Sequence, residues 1–167
     1  MKFSKRLATA KDAVLIRTLA QEAFYATYRE ILSPEQLDYM FDWMYSIKSI
    51  HDQMNNGHVY YIGYCEDHPF GYVSIEKEED DLFHLQKIYI LPAMQGHGGG
   101  RYLFESAVEV VRSLHPDAPC RMELNVNRYN KALHFYERMG MRIVRQGDFD
   151  IGNGYYMNDY IMALDIV

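Results

Sequence analysis

A run of glycines in the middle of the chain constrains the fold more than any other feature of the sequence. The run Gln95–Gly100 follows the apolar segment Ile88–Leu91 and precedes a stretch whose apolar residues recur at helical spacing. Backbone N–H groups and the positive end of the helix dipole converge at such a strand-to-helix junction, and glycine lets an anion approach the backbone closely. The sequence therefore predicts a strand, a phosphate-binding turn and a helix, in this order.

Two common nucleotide-binding motifs do not fit this run. A P-loop requires Lys-Ser or Lys-Thr directly after its glycines, and neither pair is present. The dinucleotide-binding pattern requires a glycine at the position of Arg101. What remains is the pattern Gln95-x-x-Gly98-x-Gly100, which we interpret as a pyrophosphate cradle of another kind.

The composition limits the size of the fold and the class of partner. A chain of 167 residues that is 49% hydrophobic suits one domain, and we expect residues 1–167 to form it. The 17 basic and 23 acidic residues give a net charge of -6 without a basic run, so nucleic acid is not an expected partner. No apolar stretch approaches the roughly 18 residues of a spanning helix, and no signal-peptide pattern follows the start. We therefore expect a cytoplasmic protein without a membrane partner.

The order of the elements predicts an α+β fold. Start signals for helices stand at Thr9 and Ser33, and the β-rich stretch Val59–Leu91 contains two turns, as in an antiparallel meander of three strands. A helix after the glycines, a strand, a helix over Asn130–Met139 and two strands around Gly152–Gly154 complete the order β-α-α-β-β-β-α-β-α-β-β. We expect an α/β sandwich with a single mixed, mostly antiparallel seven-stranded sheet and about four helices.

Two segments resemble motifs of the GNAT superfamily of acyl-CoA N-acyltransferases. The pattern Gln95-x-x-Gly98-x-Gly100 is similar to its acetyl-CoA signature, which lies between the fourth strand and the third helix, as the glycine run does here. The segment Asn125–Met141, with its Phe135-Tyr136 pair, resembles a second element of the superfamily. The resemblance covers most of the chain from His58 onward. It implies the GNAT fold and acetyl-CoA as cosubstrate.

The resemblance also implies which residues contact this cosubstrate. The backbone of Ile88 and Ile90 would pair with the pantetheine arm as an added strand would, and the glycine run would hold the pyrophosphate. Asn130 would reach the pantetheine or cap its helix, because asparagine is a strong N-cap residue. The residues expected at the cofactor are Ile88, Tyr89, Ile90, Gln95, Gly96, His97, Gly98, Gly99, Gly100, Arg101, Asn130 and Tyr136.

The resemblance implies that Tyr136 is the general acid, which would protonate the departing coenzyme A thiolate. A tyrosine is protonated at neutral pH, so this proton transfer is chemically reasonable. The attacking amine must in turn lose a proton, and many family members place a glutamate on the fourth strand for this purpose. The comparable positions here read His84-Leu85-Gln86-Lys87, without a carboxylate. An imidazole at His84 could accept the proton, whereas Gln86 could only position a water molecule.

The acceptor is less constrained than the cosubstrate. The stretch Ala23–Leu37 is similar to the helical region of bacterial spermidine/spermine N-acetyltransferases, and Asp159-Tyr160 is a weaker part of that similarity. The similarity implies a small-molecule amine such as a polyamine, which the negative charge of the chain would attract. Two alternatives stay open. The acceptor could be an amine of a protein or peptide, or the domain could sense acyl-CoA without catalysis.

Two further expectations concern metal ions and the oligomeric state. The sequence contains no H-E-x-x-H motif and no Cys/His cluster with zinc spacing, so we expect no metal requirement. The 15 tyrosines, 8 phenylalanines and 10 methionines are many for one small core. This excess of large apolar side chains is consistent with a symmetric homodimer.

Overall fold

The computed structural model describes residues 1–167 and contains one seven-stranded sheet and five α-helices. The mixed α+β architecture expected from the sequence is confirmed. No helix has the length and apolarity that crossing a bilayer would require. The elements in chain order are β1 Phe3–Leu7, α1 Ala13–Tyr28, α2 Pro34–Tyr45, α3 Ile47–Asn55, β2 Val59–Cys65, β3 His68–Glu79, β4 Leu82–Ile90, α4 Gly99–Leu114, β5 Cys120–Asn127, α5 Ala132–Arg138, β6 Arg142–Gly152 and β7 Tyr155–Ile166.

The structure has five helices where about four were expected, because two helices rather than one follow Ser33. Helices α2 and α3 meet at Ser46, whose backbone is extended and whose hydroxyl accepts a hydrogen bond from the N–H of Ser49 at 3.1 Å. Ser46 is therefore the N-cap of a new helix. Only Ile50 of α3 is fully buried. Ile47, Ile50 and Met54 nevertheless recur at helical spacing, which is a signal in the sequence for this helix.

The order of strands in the sheet is β1-β2-β3-β4-β5-β7-β6. All neighbouring strands are antiparallel except β4 and β5, which are parallel and are connected by α4, as a parallel pair requires a crossover. This parallel pair is short. It consists of Leu82 with Arg121, Phe83 with Met122 and His84 with Glu123. Beyond these residues the two strands diverge, and the sheet is open in its middle.

Helices cover both faces of the sheet and give the protein two apolar cores. Helices α4 and α5 pack on one face, in a core that includes Phe70 and Leu103. Helices α1 to α3 pack on the other face, in a core that includes Phe24 and Tyr72. Because neighbouring residues of a strand point to opposite faces, Tyr72 and Val73 of β3 belong to different cores. Residues of both helical layers, α1 on one face and α4 and α5 on the other, border the opening between β4 and β5.

Candidate active site

The divergence of β4 and β5 creates a cavity of about 920 Å³ at the carboxyl ends of the two strands. Residues Leu85–Ile90 of β4 line one wall and residues Leu124–Val126 of β5 line the other. The end of α1, the start of α4 and one side of α5 contribute the remaining surface. A cavity of this size is in the range of sites that bind a cofactor or other small molecule.

The glycine run forms the turn between β4 and α4, as the sequence predicted. Gly96 and Gly98 have φ angles of +82° and +89°, in the left-handed region that favours glycine. Gly98 directly precedes α4, and no side chain caps this helix. The first N–H groups of α4 are therefore free to bind an anion. Five residues of the run and its flanks line the cavity, namely Gln95, Gly96, Gly98, Gly100 and Arg101.

Two residues of the run do not reach the cavity. His97 is exposed to solvent and does not line it. Gly99 is buried against Phe70, where an added Cβ would lie 2.6 Å from a ring carbon. Glycine at this position therefore allows the first turn of α4 to pack closely on the sheet.

A β-bulge interrupts β4 where the strand lines the cavity. Ser74 of β3 pairs with Lys87 and Ile75 pairs with Leu85, so Gln86 is the extra residue on β4. Its side-chain amide donates a hydrogen bond to Oε1 of Glu76 at 2.9 Å. A bulge leaves the extra residue outside the regular ladder. The backbone groups of Gln86 are therefore available to a ligand in the cavity.

Three tyrosines from three different elements meet in the cavity. The hydroxyl oxygens of Tyr28 on α1 and Tyr89 on β4 lie 3.3 Å apart, and Tyr136 on α5 is close to both. Burial raises the pKa of each of the three hydroxyls, so all of them are protonated at neutral pH. The Tyr136 hydroxyl forms no hydrogen bond with another side chain of the protein. It is free to donate a hydrogen bond to a ligand.

Asn130 lies at the beginning of α5. Its Oδ1 accepts a hydrogen bond from the N–H of Ala132, the first residue of the helix, at 2.9 Å. The same residue lines the cavity. Capping of the helix and contact with a ligand are therefore compatible.

His84 lies at the closed end of the opening, as the last residue of β4 that pairs with β5. Its Nδ1 is 3.4 Å from Oε1 of Glu78. Burial lowers the pKa of His84, so the imidazole is neutral at neutral pH and can accept a proton. The side chain does not line the cavity, whereas that of Gln86, two residues further along β4, does.

The charged residues that line the cavity come from different elements. The cations Arg101, Lys131 and Arg138 belong to α4, to α5 and to the loop before it. The carboxylate of Glu30 follows α1. The amine of Lys87 is directed away, since it donates hydrogen bonds to residues of α2 and α3, and burial lowers its pKa to about 7. The cavity therefore contains cations that could hold an anion and one carboxylate that could hold a cation.

One polar pair at this site is not among the residues that the sequence predicted to bind or to react. Asn125 of β5 is exposed and lines the cavity, and its Nδ2 donates a hydrogen bond to Oδ2 of Asp159 on β7 at 3.2 Å. Asp159 is only 4% exposed. The two residues are 34 positions apart, so a short motif could not have identified the pair.

The sequence of the chain matches the model of a known protein family. The model of the acetyltransferase (GNAT) family matches residues 15–141, well over half of the chain. An uncharacterized N-acetyltransferase from Mycobacterium tuberculosis is 30% identical over 98 residues, which are 58% of this chain and 60% of that protein. The aligned region thus spans less than two thirds of the relative.

Solved structures with low sequence identity share the fold over nearly their whole length. The PaiA N-acetyltransferase of Thermoplasma acidophilum, solved in complex with coenzyme A, has a TM-score of 0.79 and 19% identity, with 98% of each chain covered. The ribosomal-protein-S18-alanine N-acetyltransferase of Escherichia coli has a TM-score of 0.73 and 16% identity, with 99% of this chain and 94% of that chain covered. The seven-stranded sheet with its opening thus belongs to a fold that includes a coenzyme A-bound protein.

Proposed function

Because the chain belongs to the GNAT acetyltransferase family, we propose that it transfers the acetyl group of acetyl-CoA to a primary amine, by direct attack in a ternary complex. The observation that carries this proposal is the cavity between β4 and β5. This cavity connects the uncapped start of α4 with the free hydroxyl of Tyr136. An anion site and a proton donor in one cavity are the groups that acetyl transfer from coenzyme A requires.

The residues of the cavity fit acetyl-CoA, which would supply an activated acetyl thioester. Beyond His84 the edge of β4 that faces β5 is unpaired, so the backbone of Ile88 and Ile90 can hold the pantetheine arm as an added strand. The N–H groups at the start of α4 and the side chain of Arg101 would hold the pyrophosphate. Each hydrogen bond to a charged oxygen contributes about 1.5–3 kcal/mol.

Gly96→Ala is expected to weaken acetyl-CoA binding about tenfold, the loss that corresponds to one such hydrogen bond. The φ angle of +82° strains an alanine, and its methyl group would project into open space at the phosphate end of the cavity. The matched control is Gly57→Ala, which has a φ angle of +100°, equally open surroundings and no place in the cavity. Calorimetry should show a tenfold higher Kd for the first variant alone, whereas both should melt at a lower temperature. Equal Kd values of the two variants for acetyl-CoA would show that Gly96 does not contribute to phosphate binding.

The chemistry that we propose uses Tyr136 as acid and His84 as base. The amine nitrogen attacks the thioester carbonyl carbon, the new C–N bond forms and the C–S bond breaks. The Tyr136 hydroxyl gives its proton to the sulfur of coenzyme A. The proton of the amine passes to His84 through an intervening water molecule, because His84 itself does not line the cavity. Burial keeps Tyr136 protonated and His84 neutral before the reaction, as these roles require. A water molecule held by Gln86 is the alternative proton acceptor.

A polycationic acceptor, such as a polyamine, is the substrate class that we favour. Glu30 follows α1, lines the cavity and is exposed to solvent. A chain of net charge -6 attracts polycations over a longer range. An ammonium group held at Glu30 would leave another amine of the same molecule inside the cavity.

The proposed function is tested by following thiol release from acetyl-CoA in the presence of different amines. Spermidine, a monoamine, a lysine peptide and a peptide with a free N-terminal alanine distinguish the acceptor classes. We expect release with spermidine at a lower KM than with the monoamine. Preference for either peptide would assign a protein acceptor. Binding of acetyl-CoA without release for any amine would indicate an acyl-CoA sensor, and absence of binding would reject the proposal.

A further inference from the structure

An exposed amide stands in the middle of an otherwise buried strand. Leu124 and Val126 of β5 are buried on the face that carries α4, whereas Asn125 points to the opposite face and is exposed. It is exposed because β4 has already diverged at this level, and its side chain lines the cavity. A polar side chain at this position is available to a ligand that enters between the strands.

The orientation of this amide follows from its partner. The NH₂ group of Asn125 donates to Oδ2 of Asp159 at 3.2 Å. An ionised carboxylate only accepts hydrogen bonds, so the NH₂ group must face Asp159 and the side-chain carbonyl oxygen must face away from it. Asn125 therefore presents a hydrogen-bond acceptor with a defined direction to the cavity.

Asp159 is a buried carboxylate that the protein does not fully satisfy. It is 4% exposed, and its Oδ1 has no hydrogen-bond partner. Arg128 is the cation that lies near it. Its Nη2 donates to Asp148 and to the carbonyl oxygen of Gly147, and its buried Nε has no hydrogen-bond partner. Burial raises the pKa of Asp159, which reflects the cost of an incompletely compensated charge. A cation bound beside Asn125 would offset this cost.

We infer that Asn125 and Asp159 form the subsite for the ammonium group of the acceptor amine. The carbonyl oxygen of Asn125 accepts a hydrogen bond from the ammonium, and Asp159 is a positioning residue that fixes the amide and supplies the negative charge behind it. Tyr28, which lies near Asp159 and lines the cavity, borders the same subsite. The inference rests on the proposed acetyltransferase function. It adds that the reacting nitrogen binds as a cation, which releases one proton to solvent before it attacks as a neutral amine, and that selection for charge occurs on β5 and β7.

The experiment compares an amine that is charged at neutral pH with one that is not. Asp159→Asn removes the charge but keeps a carbonyl oxygen for the Asn125 amide. We expect the KM for spermidine to rise about tenfold or more in this variant, the effect of one charge-assisted contact. The kcat/KM for 2,2,2-trifluoroethylamine, which is largely neutral at pH 7, and the Kd for acetyl-CoA should stay within about twofold. Asn125→Leu, which has a similar volume, should raise the KM for spermidine likewise.

The matched control is Asp165→Asn, because Asp165 is an exposed carboxylate on the same strand that pairs with Arg121 and Arg142. It should change none of these constants. Equal losses with both amines, or a weaker acetyl-CoA complex in Asp159→Asn, would show a purely structural role and overturn the inference. Binding of spermidine is measured by calorimetry in parallel. If the wild-type chain does not transfer acetyl groups, the proposed function fails. Spermidine binding that Asp159→Asn abolishes would still support the subsite in that case. Equal spermidine binding by the wild-type chain and by Asp159→Asn would reject the subsite.

Discussion

Tyr136→Phe is expected to lower kcat at least about 100-fold, the contribution that a positioned general acid commonly makes. Acetyl-CoA affinity should change by less than about twofold, because the contacts proposed at the start of α4 and along β4 remain and the thioester sulfur is only a weak hydrogen-bond acceptor. The ring would keep its contacts with Phe104 and Phe135, whose centroids lie 6.4 Å and 5.5 Å from that of Tyr136. Steady-state kinetics and calorimetric titration with acetyl-CoA measure the two quantities separately.

The same substitution at Tyr156 is the control for this prediction, because Tyr156 is an exposed tyrosine outside the cavity. It should leave kcat and the Kd unchanged. Tyr28→Phe tests the neighbouring hydroxyl, and a larger loss of kcat there than in Tyr136→Phe would transfer the acid role to Tyr28. Parallel losses of turnover and acetyl-CoA binding in Tyr136→Phe would contradict a role in proton transfer.

His84→Gln is expected to lower kcat by a similar factor of about 100 and to change its pH dependence. A base works in its neutral form, so kcat at saturating substrates should fall as the pH decreases through the pKa of His84. Burial places that pKa below the usual value for histidine, although the nearby carboxylates of Glu78 and Glu123 oppose the shift. The acid limb should therefore lie below about pH 6.5 in the wild-type chain and should be absent in the variant.

The His84 prediction requires two further measurements, thermal unfolding at each pH and the activity of a Gln86 variant. Because the folded-state pKa is lowered, the unfolded chain binds the proton more readily, and stability decreases as the pH falls below the unfolded value. Thermal unfolding must therefore be followed at each pH, so that loss of folded protein is not counted as loss of turnover. Gln86→Leu is the comparison. If His84→Gln keeps full activity while Gln86→Leu loses it, the proton leaves through water held at Gln86.

The helices and strands were predictable where local chemistry determines them. The helix start at Ser33 was predicted correctly, since Pro34 stands at the first helical position and the serine hydroxyl accepts from the N–H of Gln36. The separate helix α3 was missed. It carries one fully buried residue, Ile50, and its stability depends on packing against other elements.

The sequence by itself determined the glycine turn between β4 and α4. Left-handed backbone at Gly96 and Gly98 and the start of α4 depend on residues that are adjacent in the chain, so a short motif is sufficient to predict them. Only the tertiary structure decided the shape of the cavity and the polar pair on β5 and β7. The point at which β4 leaves β5, and the contact of Asn125 with Asp159, follow from strand pairing over the whole sheet. The burial of a side chain and the identity of its hydrogen-bond partner depend on such long-range contacts, so they cannot be predicted from residues that are adjacent in the sequence.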